Sequence, residues 1–448
     1  MINLVYGILA AGILVAFVLR RRRERAARVG WMGFSAVMGL YLSEGVLLVL
    51  SVGPLDRPAW GVGRTIDERT KARVVDDLRR LGVDAQPNVI PSGLILREGF
   101  ERDGGRFFPL GGISNVETVF CNETGAWLSY RSDEHGFRNP LGSHRSGDVD
   151  VVLLGDSFVH GECVDEGEDI AGRLREKGYR VVNLGMSGNG PLLELGVLTE
   201  YAAPLRPSVV VWTIYEGNDA GDLATERQSS TLVRYLDPDF SQSLASRQAQ
   251  IDGSLRAYVQ ARLDLQLAAD RVEGSEGGVA SFLLLRRLEE RVVEGFAPRQ
   301  RFAADTLPFD SLMESTLEEA RSRVERWGGE LLVLHLPQAR SEAGRGGTRG
   351  HGAALAEDLG IRVIDASPAI AGHSRPDSLY PFGRRRSAHF GADGYRLIAD
   401  LLAGHLSAAQ HQEPVIASRG CFDPAGRPRH GRLTARAAHR TGGGCAPL

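Results

Sequence analysis

The feature that most limits this chain is a short apolar run that returns five times, each run stopping at glycine or a polar loop. VDVVLL, Val149 to Leu154, stops at Gly155-Asp156-Ser157, and Val181 to Leu184 runs into the glycine-rich exit GMSGNG. Val209 to Tyr215 ends at Glu216-Gly217-Asn218-Asp219, Leu331 to Leu336 at Pro337, and Ile361 to Asp365 closes the series. Continuous apolar runs of this kind suit strands buried on both faces of a parallel sheet. Helical signals lie between them. One helix is expected around Asp169 to Lys177 with Gly178 as its stop, and another from Pro191 to about Ala203 with proline in the first turn. Asp310 caps a third to Trp327, ended by Gly328-Gly329, and a last one runs from about Ala392 to Leu406. Repeated strand–helix units imply an α/β fold with a mostly parallel five-stranded sheet and helices on both faces, three layers in all.

The regions around this core differ in texture. Met1 to Leu19 and Trp31 to Val52 are apolar stretches separated by the basic run Arg20 to Arg28, and Glu44 is the one charge in the second. At about 1.5 Å per residue each approaches the thickness of a hydrocarbon core. Residues 1–53 therefore read as two transmembrane helices with residues 20–28 as a cytoplasmic loop, which puts the rest of the chain on the extracytoplasmic side of the cell membrane. In a signal peptide the basic residues precede the apolar core, the reverse of the order here. Residues 54–145 form an irregular lead-in, with a β-hairpin expected near Gly105 to Val119. The sheet domain spans 146–408. It is interrupted at about 230–300 by periodic Leu, Val and Ala positions that suggest an inserted helical lid. Residues 409–448, rich in Gly, Arg, Pro and His, read as a disordered tail.

Charge and cysteine usage exclude some functions. Net charge is −3 and no long basic stripe crosses the body of the chain, which argues against a nucleic-acid partner. Cys121, Cys163, Cys421 and Cys445 lack metal-type spacing, and nothing in the motifs calls for a cofactor or metal. An extracytoplasmic domain permits a disulfide, but three full pairings stay open.

In an open α/β sheet ligands bind beyond the carboxyl ends of the strands, so residues following different strands become neighbours. Ser157 follows the first strand, Gly188 and Asn189 the second, Asn218 the third, and His389 precedes the last helix. A serine needs a base to take its proton, and a histidine from another loop supplies one. The backbone N–H groups of Ser157 and Gly188, with the Asn218 amide, would donate to a developing oxyanion. The bland alternative for Ser157 is a helix N-cap; the other three loops tilt the balance towards chemistry. His160 reads as a pocket neighbour, Asp156 and Asp219 as turn-forming carboxylates, and Arg384 to Arg386 as a solvated loop.

These blocks resemble the GDSL, or SGNH, hydrolases. The match is GDS at Gly155 to Ser157, the glycine Gly188 in NLGMSG, GND at Gly217 to Asp219 and HFGADGYRLIA from His389, over roughly Asn115 to Leu406, including DEHGFRN at Asp133 to Asn139. The resemblance implies a flavodoxin-like three-layer fold and serine-dependent hydrolysis or transfer of ester-linked acyl groups. It assigns Ser157 as nucleophile, His389 as base, and Gly188 and Asn218 as oxyanion donors. The substrate would be an ester-bearing small molecule, lipid or glycan. One position departs: three residues before the histidine, where the family has aspartate, stands Arg386. Asp377 or Asp365 is the expected replacement acid, a backbone carbonyl the alternative. Three functions follow: an esterase, an acyltransferase acting on a cell-surface glycan, and a binding module without turnover.

Overall fold

The computed structural model describes residues 31, 34–35, 37–43, 67–102, 105–276, 309–338, 350–383 and 389–410. The chain divides into two units, Met1–Gly404 and His405–Leu448. The described part of the second is the end of one helix.

The elements in chain order begin with α1 (Lys71–Arg80), β1 (Ala85–Pro87), β2 (Phe100–Arg102), β3 (Gly105–Phe107), β4 (Glu117–Val119) and β5 (Ser129–Arg131). Next come β6 (Val151–Leu154), the one-turn helix α2 (Ser157–His160), α3 (Ile170–Glu176), β7 (Val181–Asn183), α4 (Pro191–Val197), β8 (Val209–Tyr215), α5 (Asp219–Glu226) and α6 (Ser230–Val233). After them follow α7 (Gln248–Glu276), α8 (Phe309–Arg326), β9 (Glu330–Leu336), α9 (His351–Asp358), β10 (Arg362–Asp365), α10 (Ser367–Ala371) and α11 (Ala392–Gln410).

The five expected strands form one parallel sheet in the order β10-β9-β8-β6-β7. Numbered among themselves that is 2-1-3-4-5 read from the β7 edge, the flavodoxin-like order. The sequence reverses direction between β6 and β8, with Val151 level with both Val181 and Val209. All four β6 side chains are buried, and Trp212 of β8 is fully so. Burying an aliphatic side chain of this size contributes roughly 1.5–3 kcal/mol, which is why these strands tolerate no polar alternation. Local caps end the loops: Asp169 accepts the Gly172 N–H at the start of α3, and Pro191 opens α4.

The lead-in is more ordered than its composition suggests. It forms a three-stranded sheet, β1-β4-β5, in which β1 pairs parallel and β5 antiparallel with β4. The hairpin expected at Gly105 to Val119 is displaced: β3 pairs back with β2, Phe100 opposite Phe107, and β4 turns into β5. Strands of three residues carry no measurable period, so the pattern gave no register. The segment Asp133 to Asn139 fastens this lead-in to the main sheet. Asn139 pairs with both backbone groups of Asn183 on β7, at 2.8 and 2.7 Å, while Arg138 donates to the carbonyls of Gly161 and Val164. Asp133 in turn accepts N–H groups from His135 and Phe137 and the Asn139 amide, which fixes the motif's shape.

Within the expected insertion, α7 is one long helix whose Ile251, Leu255 and Val259 are buried in the main core. The remainder of that insertion, the tail beyond residue 410 and Arg384 to Arg386 lie outside the described residues. So do the two apolar N-terminal stretches, apart from helical backbone at 31, 34–35 and 37–43. Among the described residues no helix is long and apolar enough to cross a membrane.

Candidate active site

β6 ends at Gly155, where an added Cβ would stand 2.4 Å from Val159 Cγ2, so only glycine lets the chain fold tightly into α2. Asp156 caps that turn by accepting the Phe158 N–H at 2.9 Å, and its other oxygen accepts the Asn218 amide at 3.0 Å. One carboxylate thus joins the loop after β6 to the loop after β8. Asp219 fixes the second loop by accepting the Tyr215 N–H at 2.8 Å. Burial raises the pKa of both acids, and their mutual repulsion lifts Asp219 further.

Ser157 heads the short helix, and His389 reaches it from the loop before α11. His389 Nε2 lies 2.7 Å from Ser157 Oγ, and Nδ1 lies 2.9 Å from Glu123 Oε1. With Nδ1–H donated to Glu123, Nε2 holds the lone pair and accepts the serine hydroxyl, the tautomer a base requires. Burial opposes charging of the imidazole; the Glu123 hydrogen bond and charge, with Glu162 and Asp156 adding theirs, outweigh it and raise the His389 pKa above its ordinary value. Phe158 packs its ring 5.1 Å from the imidazole and keeps it from swinging.

The residue on Nδ1 corrects the sequence reading. Asp377 sits exposed on the turn Pro376–Leu379 and makes no bond to His389, and Asp365 instead bonds His335 and the Ser367 N–H. Glu123 comes from the loop between β4 and β5, 266 residues from the histidine it serves. A second acid, Glu162, lies 3.9 Å from Nε2 and accepts the Ser187 hydroxyl at 2.8 Å; burial raises its pKa. Glu123, Glu162 and His389 bring ligand atoms within 4.8 Å of one another, but both imidazole nitrogens are already engaged.

Gly188 and Asn218 stand on the loops expected of them. Gly188 has φ +76°, and a Cβ there would meet Ser92 Oγ at 2.9 Å and Ile90 Cγ2 at 3.0 Å. The demand for glycine therefore comes from backbone conformation and from crowding by the lead-in. Behind this loop Glu226 accepts the N–H groups of Gly190 at 2.6 Å and Leu192 at 2.8 Å; burial pushes its pKa up to about 8. Asn218 spends one amide hydrogen on Asp156, which aims the second. His160 has no access to the serine. It is fully buried, accepting the Ser187 N–H on Nδ1 and facing Tyr130 Oη through Nε2, and burial with the nearby Arg138 charge holds it neutral.

A cavity of about 460 Å³ adjoins this loop. Ile90 and Ser92, which crowd the Cβ position of Gly188, belong to its wall; Val89, Ile95, Val259 and Leu263 supply apolar surface and Lys71, Asp222, Glu226 and Arg262 charged groups. Its walls come from the lead-in, α5 and α7, elements outside the five-stranded sheet.

No family model matches the chain, and no curated protein does. Among solved structures it is similar to a lipase/acylhydrolase from Enterococcus faecalis (13% identity, 58% of this chain and 96% of that one, TM-score 0.30). It is also similar to a GDSL-like lipase from Bacteroides thetaiotaomicron (11%, 58% and 89%, TM-score 0.30) and to an acetyl xylan esterase (13%, 57% and 99%, TM-score 0.30). Likeness at this level says nothing about activity, which rests on the geometry above.

Proposed function

We propose that this chain is a serine-dependent ester hydrolase of the GDSL type. The observation that carries the reading is the unbroken line Ser157 Oγ, His389, Glu123, with 2.7 and 2.9 Å contacts on the two imidazole nitrogens. Ser157 attacks the ester carbonyl while His389 Nε2 takes its proton; the oxyanion is met by the Ser157 and Gly188 N–H groups and the free Asn218 hydrogen. His389 then protonates the leaving alcohol, and water repeats the sequence to release the acid. Glu123 keeps the imidazole in the working tautomer and stabilises its charged form. A carboxylate on Nδ1 also removes the main support for a binding module without turnover, which was the apparent lack of an acid.

The partly apolar cavity beside Gly188 supports an ester with a sizeable apolar portion. Transfer to an alcohol acceptor would use the same acyl-enzyme. The membrane anchor and extracytoplasmic placement rest on the N-terminal apolar stretches and Arg20 to Arg28, and a disulfide between Cys121 and Cys163 fits that oxidising side.

A fluorophosphonate probe is expected to label the folded protein on Ser157, seen as a mass shift on the peptide bearing that residue. Labelling that persists in Ser157→Ala, or none at all in folded protein, would refute the reading. Asn218→Ala is expected to lower kcat about 10²–10³-fold with KM little changed, as loss of one oxyanion donor does. Equal falls in binding and turnover would show that the amide serves only to brace Asp156.

A further inference from the structure

The nucleophile and its acid sit on different layers of the molecule, and one covalent bond joins them. Cys121 follows β4 and precedes Glu123 by two positions; Cys163 follows Glu162, on the segment leaving the serine helix. The two sulfurs form a disulfide across a sequence separation of 42. Each cysteine therefore stands beside one of the two carboxylates that face the His389 ring. The Cys163 side also carries the turn itself, since Glu162 donates its N–H to the Ser157 carbonyl at 3.0 Å.

Glu123 has little else to hold it. Its backbone N–H is directed at Cys163 Sγ at 3.2 Å, and its carboxylate, about a third exposed, bonds His389. Around Glu123 the loop is tied at several points: Phe120 N–H to the Leu128 carbonyl and Leu128 N–H to the Cys121 carbonyl at its ends, the Asn122 amide to the Asp67 carbonyl and the Asp67 N–H to the Gly125 carbonyl in its middle, and the Trp127 indole N–H to the Arg69 carbonyl. Among the described residues, then, the bonds made by Glu123 itself go either to the disulfide or to the histidine. A carboxylate about a third exposed and held by a single hydrogen bond contributes orientation only if its loop is fixed.

We infer that the Cys121–Cys163 disulfide is a positioning device for the acid, so that this reading, which rests on the proposed Ser157–His389–Glu123 hydrolase, makes full activity conditional on the oxidised bond. A dithiol reductant delivers two electrons and two protons to the sulfur pair, leaving two thiols and closing its own disulfide. Freed of the bridge, the hairpin loop keeps its hydrogen bonds to Asp67 and Arg69 and those at its ends, but Glu123 itself loses its anchor and its register on Nδ1. The groups that face His389 are Glu123 from the hairpin loop, Glu162 from the segment after α2, and Asp156 from the elbow; Lys71 of α1 acts on Glu162. Of these, Glu123 is the one that the reduction releases.

The test uses the full chain in oxidised, dithiol-reduced and reoxidised form, with Cys121→Ser/Cys163→Ser as a second route to the open state. Two quantities are read: the rate of fluorophosphonate labelling at Ser157, and the titration of His389 followed by NMR. Cutting the bond is expected to slow labelling at least tenfold and to move the His389 midpoint to lower pH, towards that of Glu123→Gln, with both effects reversed by reoxidation. In the double serine variant, adding Glu123→Gln should then cost under tenfold, because the two changes remove one contribution. A structural disulfide would leave the His389 midpoint and the full Glu123→Gln penalty in place after reduction, and that result overturns the inference. If the serine pair fails to fold, reduction of folded wild type gives the same readings. Oxidised wild type that never labels would defeat the hydrolase reading, whereas the His389 titration still tests the bridge.

Discussion

Glu123→Gln is expected to lower kcat by about four orders of magnitude while leaving the protein folded, the loss seen when a serine hydrolase's triad carboxylate becomes an amide. The amide cannot accept and stabilise charge as a carboxylate does, and it can donate to Nδ1, forcing the imidazole into the tautomer whose Nε2 carries hydrogen. A second signature accompanies the loss. Because Glu123 raises the His389 pKa, the acid limb of kcat/KM in wild type should fall above the ordinary imidazole value of about 6.5. Activity requires neutral His389, so it is lost as pH drops through that raised pKa. Removing Glu123 lowers the pKa and moves the limb to lower pH as the plateau falls. A drop of less than tenfold, with the limb unmoved, would return the role of acid to another group.

His389→Ala should be more damaging, about six orders of magnitude in kcat, close to the effect of Ser157→Ala, since nucleophile and base fail as a unit. The alternative base, His160, is walled off: its ring lies 4.3 Å from Phe120 and 5.6 Å from Tyr130, and both nitrogens have partners inside the core. Steady-state assays on nitrophenyl esters with each single variant and the pair would measure this. If the double variant is far slower than either single one, the two residues act independently and the proposed proton transfer is wrong.

The sheet was legible because β6 to β9 are buried along nearly their whole length on both faces, which writes near-continuous apolar runs into the sequence, while β10 at the edge is half-buried; β8 was expected at Val209 to Tyr215 and is found there. Ser157, Gly188, Asn218 and His389 could be gathered because a parallel sheet sends all its strand ends to one edge. Glu123 could not. It lies in a three-residue-strand hairpin, outside the sheet whose topology does the gathering, and a lone glutamate has no spacing to betray it. The one available hint was its nearness to Cys121, had the pairing with Cys163 been known. Arg386 misled for a related reason: an acid missing next to the histidine suggests a search nearby, although an imidazole nitrogen takes its partner from whichever element faces it.

The brace by which Asn139 and Arg138 clamp the lead-in to β7 and to the segment after α2 bears on how the chain can be divided. A recombinant fragment beginning just before β6, the natural place to cut if the parallel sheet is taken as the autonomous piece, would retain serine, histidine and both oxyanion loops. It would still arrive without Glu123, with Cys163 unpaired, and with the carbonyls of Gly161 and Val164 stripped of their guanidinium. Such a fragment could look intact by sequence motif and be inert, and a screen built on it would record a false negative.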